Sequence, residues 1–249
     1  MDDRRLVILK FGGSILPDRS SLAAVVDECH GILETGRRVI GVVSAYQGLT
    51  DRLATQWGLA DPATRPDQAT ALAAGEFQTA DDLRQALLDD GVAATVADLA
   101  AIGLRADGDP LDATPVGLDE TAVDALLDDH PVVVVPGFVA LDTDDRLVLL
   151  GRGGSDLTAI HLAAHLRPER CELIKNVDGI YSQDPVDGDH DARPFSRIQH
   201  EDATAVGDRV IQPKALELAR LRRLEFRVRA LQSDDGTTVH PGPDELENH

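Results

Sequence analysis

The chain has 249 residues, 43% of them hydrophobic and only 3% aromatic, with a formal charge of −20 at pH 7. That length fits one large α/β domain or two small ones with a core of Ala, Val, Leu and Ile, and the negative charge argues against nucleic acid and anionic membrane surfaces as partners. No apolar run approaches the roughly 18 residues of a membrane span and the N-terminus lacks the apolar stretch of a secretory signal, so the sequence reads as a soluble, cytoplasmic protein.

Residues 6–11 form an apolar first strand of the kind buried in parallel sheets, running into Gly12-Gly13-Ser14. A helical pattern follows from Ser20 to Thr35 and ends at Gly36, and Arg38 to Ser44 reads as a second strand. Residues 45–50 form a turn before a helix from Asp51, and the Pro-containing stretch 58–69 reads as an exposed connection. A helix from Ala69 to Asp89 is expected to break or hinge at Gly75-Glu76. A short strand at 93–96 precedes a Gly/Pro-rich loop or hairpin over 103–117, an acidic helix at 119–129 and a strand at 132–135. The turn 142–145 joins 138–141 to 147–150 as a hairpin. A helix over 156–165, a strand at 172–174 and a Pro/Asp-rich loop at 183–194 follow. Short helices at 200–206 and 213–222, a strand at 224–230 and a polar tail able to close a last hairpin complete the chain. This strand–turn–helix alternation predicts an α/β fold, a three-layer αβα sandwich around a mainly parallel sheet.

The turn Gly151-Arg152-Gly153-Gly154-Ser155-Asp156 lies between an apolar strand and a helix. Glycines let backbone N–H groups approach a ligand, a helix N-terminus adds partial positive charge, and an arginine offers a planar fork for a carboxylate or phosphate. Side-chain capping alone requires neither the arginine nor three glycines, so the turn reads as a site for a small anion. Of the 24 basic residues only Lys10, Lys175 and Lys214 are lysines, each within a motif-like stretch. Lys10 ends the first strand beside a glycine turn, where open α/β sheets bind ligands, and an ammonium there can stabilise a transferring phosphoryl group. The lysine precedes the glycines, so this is not a Walker A loop. Cys29 and Cys171 lack metal-ligand spacing and read as reduced, structural thiols, the eight histidines are scattered, and no metal-ligating set is evident.

Taken together, Lys10-Phe11-Gly12-Gly13-Ser14, Val43 through Asp51, Gly75-Glu76, Pro136-Gly137-Phe138, Gly151 through Asp156, Asn176 through Pro185, Val210 through Ala219 and Arg227-Val228-Arg229 occur in the order seen in the amino acid kinase superfamily. The Gly-Arg-Gly-Gly-Ser-Asp and Ser-Ala-x-x-Gly-x-Thr-Asp turns resemble aspartate kinase in particular, over roughly residues 6–240. The resemblance implies one amino acid kinase domain over residues 1–249, its substrate side about 1–150 and its nucleotide side about 151–249. It implies ATP- and Mg2+-dependent phosphorylation of an amino acid carboxylate, aspartate above others, in amino-acid biosynthesis by a homodimer. Lys10 and Asp156 would be catalytic. Ser44, Thr50, Glu76, Arg152, Gly153, Gly154 and Ser155 would bind the acceptor, Glu76 facing its ammonium and Arg152 its carboxylate. Lys10, Phe11, Gly12, Gly13 and Ser14 would surround the phosphates. Lys175, Asn176, Asp178, Gly179, Tyr181, Ser182, Gln183, Asp184, Pro185 and Arg209 would hold the nucleotide.

Two departures stand out. Aspartate kinases usually carry Thr-Asp where this chain has Lys175-Asn176, a form closer to uridylate kinases. They also continue into paired ACT domains, whereas this chain ends after the kinase domain, so the resemblance implies no direct feedback control of that kind. It leaves open a kinase for another small carboxylate or a phosphorylated metabolite, or a non-catalytic nucleotide- or amino-acid-binding regulatory paralogue.

Overall fold

The structure is a computed structural model that describes residues 5–57, 65–183, 192–206, 210–242 and 245–246. Strand β1 (Leu6–Phe11) pairs in parallel with β2 (Arg38–Val43) on one side and β9 (Arg170–Lys175) on the other. Beyond β2 lie β6 (Val132–Pro136) and β3 (Ala94–Val96), both parallel; beyond β9 lies β11 (Phe226–Ala230), also parallel. Strand β12 (Thr237–His240) turns back antiparallel on β11, closing the expected last hairpin, and β10 (Phe195–Gln199) and β13 (Glu245–Leu246) complete nine strands. The sequence left β10 unassigned: its Phe-Ser-Arg-Ile-Gln pattern buries only Ile198 fully.

Strand periodicity of two divides the apolar side chains between the faces of this sheet. Leu6 and Ile8 enter one core with α5 (Gly154–Leu166) and α7 (Pro213–Arg222), while Val7, Leu9 and Phe11 enter a second core with α1 (Leu22–Glu34). Both faces are covered, as an αβα sandwich requires. Helix α5 is buried almost all round, so its sequence shows no polar face. Helix α7 starts on Pro213, whose fixed φ suits the first helical position. Helix α4 (Glu120–Asp129) is capped by Asp119, which accepts from the Ala122 N–H at 3.0 Å.

Two expectations need correction. Helix α3 (Arg65–Asp89) begins within the stretch read as a connection, and it does not hinge at Gly75. Its first half packs Ala69, Leu72 and Ala73 into one core and its second half packs Ala80, Leu83 and Leu87 into the other. At Gly75 the helix crosses the turn after β2 so closely that a Cβ would lie 2.7 Å from that of Ala45; the glycine is a packing contact, not a break. Second, helix α5 begins at Gly154, two residues before the expected start, with Gly153 as N-cap and no side-chain cap. The two hairpins form as expected, β4 (Arg105–Asp107)/β5 (Thr114–Gly117) and β7 (Val139–Leu141)/β8 (Leu147–Leu149), and join through β4 and β7 into a separate four-stranded sheet.

Candidate functional site

The carboxyl ends of β1, β2 and β6 open onto a cleft of about 560 Å³, the place where open parallel sheets bind ligands. Lys10, Gly13, Ser14, Ser44, Thr50, Glu76, Arg152, Gly153, Gly154 and Ser155 line it together. Thr50 comes from α2 (Leu49–Trp57), Glu76 from the middle of α3, and the last four from the turn into α5. The side chain of Phe11 points away into the core, fully buried, so only its backbone is available to a ligand.

Behind Lys10, buried Asp156 sits between two ammonium groups. Lys10 Nζ lies 2.6 Å from its Oδ1 and Lys175 Nζ lies 2.6 Å from its Oδ2. Burial pushes the Asp156 carboxyl up, but the two lysines outweigh it and hold the group below the usual carboxylate range. Burial pulls Lys10 down to about 8; Asp156 resists the shift and the Lys175 charge adds to it. Two cations on one carboxylate leave net positive charge, an arrangement that suits an anion with several oxygens.

Glu76 forms the opposite wall and is 3% exposed. Its Oε1 accepts from the Ala45 N–H at 3.2 Å, while its buried Oε2 has no hydrogen-bond partner among the described residues. Burial raises this carboxyl to about 7, against the Ala45 hydrogen bond that favours the charged form. An orphan carboxylate oxygen facing a cleft is a ready acceptor for a ligand ammonium. Arg152 is exposed, lines the same cleft, and has no ion-pair partner among the described residues. The site therefore offers an exposed guanidinium, an unpartnered carboxyl oxygen and, in Lys10, an ammonium held by Asp156.

The glycines of the Arg152 turn serve a purpose that the sequence did not reveal. Gly151 (φ 76°) and Gly153 (φ 67°) adopt left-handed backbone, and protein already fills the space a Cβ would need. At Gly151 such a Cβ would fall 1.7 Å from Asp112 Oδ1, and at Gly153 it would fall 1.9 Å from Gln212 Cγ. Other lining residues escaped the sequence reading: Leu72, Leu111 and Leu149 supply an apolar wall with Phe138. Phe138 holds a left-handed φ of 71°, its N–H bonded to Thr158 Oγ1 at 3.2 Å. Its place in the Pro136-Gly137-Phe138 segment was a signal; Leu111 and Asp112 had none.

The segment after β9 stands apart. Of Lys175, Asn176, Asp178, Gly179, Tyr181, Ser182 and Gln183, none lines the cleft; Lys175 is joined to Lys10, which does, through their shared partner Asp156. Gly179 lies against Thr237 of β12 and the Ile180 N–H donates to Thr237 Oγ1 at 2.8 Å, while the Tyr181 hydroxyl donates to Asp178 Oδ1 at 3.0 Å and the Ser182 N–H to the Arg193 carbonyl at 2.9 Å. Asp184, Pro185 and Arg209 lie outside the described residues. No group of three or more His, Cys, Asp or Glu side chains able to hold a metal occurs among the described residues, and none of the described helices is long and apolar enough to cross a membrane. Both cysteines are buried and unpaired.

Comparison with known proteins bears on this geometry. The profile of the amino acid kinase family matches residues 5–229. An aspartokinase of Pseudomonas aeruginosa is 32% identical over 243 residues, covering 94% of this chain and 58% of its own length. The chain thus spans somewhat more than half of that relative. The crystal structure of an aspartate kinase from Synechocystis superposes with a TM-score of 0.82 at 28% identity, covering 98% of this chain and 40% of that one. Escherichia coli aspartokinase III in complex with aspartate and ADP superposes with a TM-score of 0.76 at 21% identity, over 98% of this chain and 65% of that one, a likeness of fold.

Proposed function

The chain belongs to the amino acid kinase family, and from that premise we propose that it is an ATP-dependent kinase of an amino acid carboxylate, with aspartate as acceptor and aspartyl phosphate as product. One observation carries the choice of acceptor. A zwitterion with an additional carboxylate needs an anion for its ammonium and a cation for its α-carboxylate, with the reacting carboxylate beside a phosphoryl-stabilising group. The orphan oxygen of Glu76, the exposed Arg152 and the Lys10–Asp156 pair meet that requirement within one cleft. The aspartokinase relatives support the same reading.

In this reading an acceptor carboxylate oxygen forms a bond to the γ-phosphorus while the bond from phosphorus to the β–γ bridging oxygen breaks, releasing ADP. The carboxylate arrives ionised, so no general base is needed, and catalysis is positioning and charge neutralisation. Lys10 neutralises charge on the transferring group and Asp156 fixes its ammonium. Ser14 and Gly13 offer donors to phosphate oxygens at the end of β1, and Ser44, Thr50 and Ser155 line the acceptor side; Gly12, whose N–H points at the Ile174 carbonyl at 3.4 Å, is assigned to the phosphates on family resemblance. Mg2+ fits as the nucleotide complex: both Asp156 oxygens already face lysines, so phosphate oxygens, more than protein carboxylates, would hold it. When bound it would screen the phosphate charge. Residues 175–183 with Asp184, Pro185 and Arg209 are assigned to the nucleotide on family resemblance, which divides the single domain into an acceptor side within about 1–150 and a nucleotide side within about 151–249. The same reading makes the protein a cytoplasmic homodimer, supported by its two buried free thiols and the family resemblance.

The test is an ATP-dependent hydroxamate assay across a panel of amino and other small carboxylic acids. Aspartate-dependent hydroxamate that disappears in Lys10→Ala supports the proposal. Turnover with a different acid only, or ATP binding without transfer to any of them, refutes it.

A further inference from the structure

Lys214 is one of only three lysines in the chain, and neither it nor Asp112 has a role in the chemistry above. Lys214 stands in the first turn of α7, and its Nζ lies 2.5 Å from Asp112 Oδ1 and donates to the Asp112 carbonyl oxygen at 3.3 Å. Asp112 belongs to the loop between β4 and β5, 102 positions away in sequence. That loop is stitched to the strand that feeds the Arg152 turn: the Leu149 N–H donates to the Pro110 carbonyl at 2.7 Å and the Ala113 N–H donates to the Leu149 carbonyl at 2.8 Å. The Asp112 carboxylate then lies over Gly151, in the space a Cβ would occupy, and Gln212, the N-cap of α7, fills the equivalent space over Gly153. Arg152 is the residue between them. The backbone that presents this guanidinium is therefore enclosed from two sides, and the ion pair joins those two sides to each other.

We propose that the Asp112–Lys214 pair is a brace across the Arg152 turn, making both side chains positioning residues for the group that grips the acceptor. The inference rests on the reading of the cleft as an acceptor site. Lys214 and Asp112 do not line the cleft; they act through the turn. Both are partly exposed, at 39% and 59%, so the pair is worth little as bulk stability and its effect is local. A turn free to move by about an ångström loses much of the benefit of a pre-positioned guanidinium.

The experiment uses the full chain and two readouts. Asp112→Ala and Lys214→Ala are expected to raise the acceptor KM by roughly three- to tenfold, with the ATP KM and kcat within about twofold of wild type. The exchanged pair Asp112→Lys/Lys214→Glu should recover most of that loss, which a purely structural role for either side chain does not predict. Hydrogen exchange of a peptide spanning 147–157, measured without any ligand, should quicken in each single variant and slow again in the exchanged pair. Unchanged exchange overturns the brace whatever the substrate proves to be. An acceptor KM that stays at the wild-type value, or rises in step with the ATP KM, overturns the link to Arg152. If wild type transfers phosphate to no acid tested, the functional reading falls and the exchange measurement still decides the brace.

Discussion

Replacing Glu76 by Gln tests the acceptor site through stability and binding at once. The substitution keeps an oxygen to accept from the Ala45 N–H and removes only the charge. A carboxyl raised by burial from 4.5 to about 7 is protonated in the folded chain over a range where the unfolded chain has already lost its proton. Stability therefore falls as pH rises from about 4.5 to about 7, and the whole cost is present above that range. At 1.36 kcal/mol for each tenfold difference, that cost is about 3 kcal/mol. Glu76→Gln should then raise the melting temperature by roughly 5–10 °C at pH 8.5 for a chain of this size, and by almost nothing at pH 4.5. Aspartate should stabilise wild type by an amount that grows as the logarithm of its concentration over Kd and leave the variant unmoved, because the neutral amide offers an ammonium no charge. Calorimetry or circular-dichroism melts of both proteins at the two pH values, with and without aspartate, measure these shifts. Equal increments at both pH values, or a variant that aspartate still stabilises, would refute the reasoning.

Lys10→Met should lower kcat by at least about a hundredfold with little loss of fold, as expected for a cation that acts mainly on the transferring group; single-turnover phosphoryl transfer with radiolabelled ATP checks it. Arg152→Ala should raise the acceptor KM by roughly ten- to a hundredfold and spare the ATP KM, since a charge-assisted pair is worth about 1.5–3 kcal/mol; initial rates with each substrate varied in turn decide this. The free enzyme's kcat/KM for the acceptor should form a bell. Its acid limb lies near 7, where Glu76 ionises, and its alkaline limb near 8, where Lys10 gives up its proton. A profile that stays flat between pH 6 and 9 would contradict both assignments.

The parts of the fold that could be read directly are those decided by local pattern. The unbroken apolar runs of β1, β2 and β6 announce strands covered on both faces, and each ends at a turn that reaches the cleft. Lys10 and Asp156 stand out in the sequence only as members of motifs that the family resemblance links, and the structure brings them together as an ion pair at 2.6 Å. What escaped depends on distant partners. Gly75 reads as a helix breaker until Ala45 is seen against it. Strand β10 is polar in sequence because its role is set by its neighbours β12 and β13. Buried Glu172 and Arg229 resemble ordinary charged strand residues until Glu28, from α1, completes their network. Asp112 sits in a loop whose composition says only that it turns.

Helix α3 has 25 residues, a rod of nearly 40 Å at 1.5 Å per residue. Both halves are packed into the cores, and near the middle Gly75 meets Ala45 and Leu49, one residue from Glu76. A helix clamped along its length passes on little of a local disturbance, so the tightest point sets the position of its neighbours. A methyl group at position 75 would therefore press on the turn after β2 and shift the Glu76 carboxylate, more than a conservative change farther along α3 would.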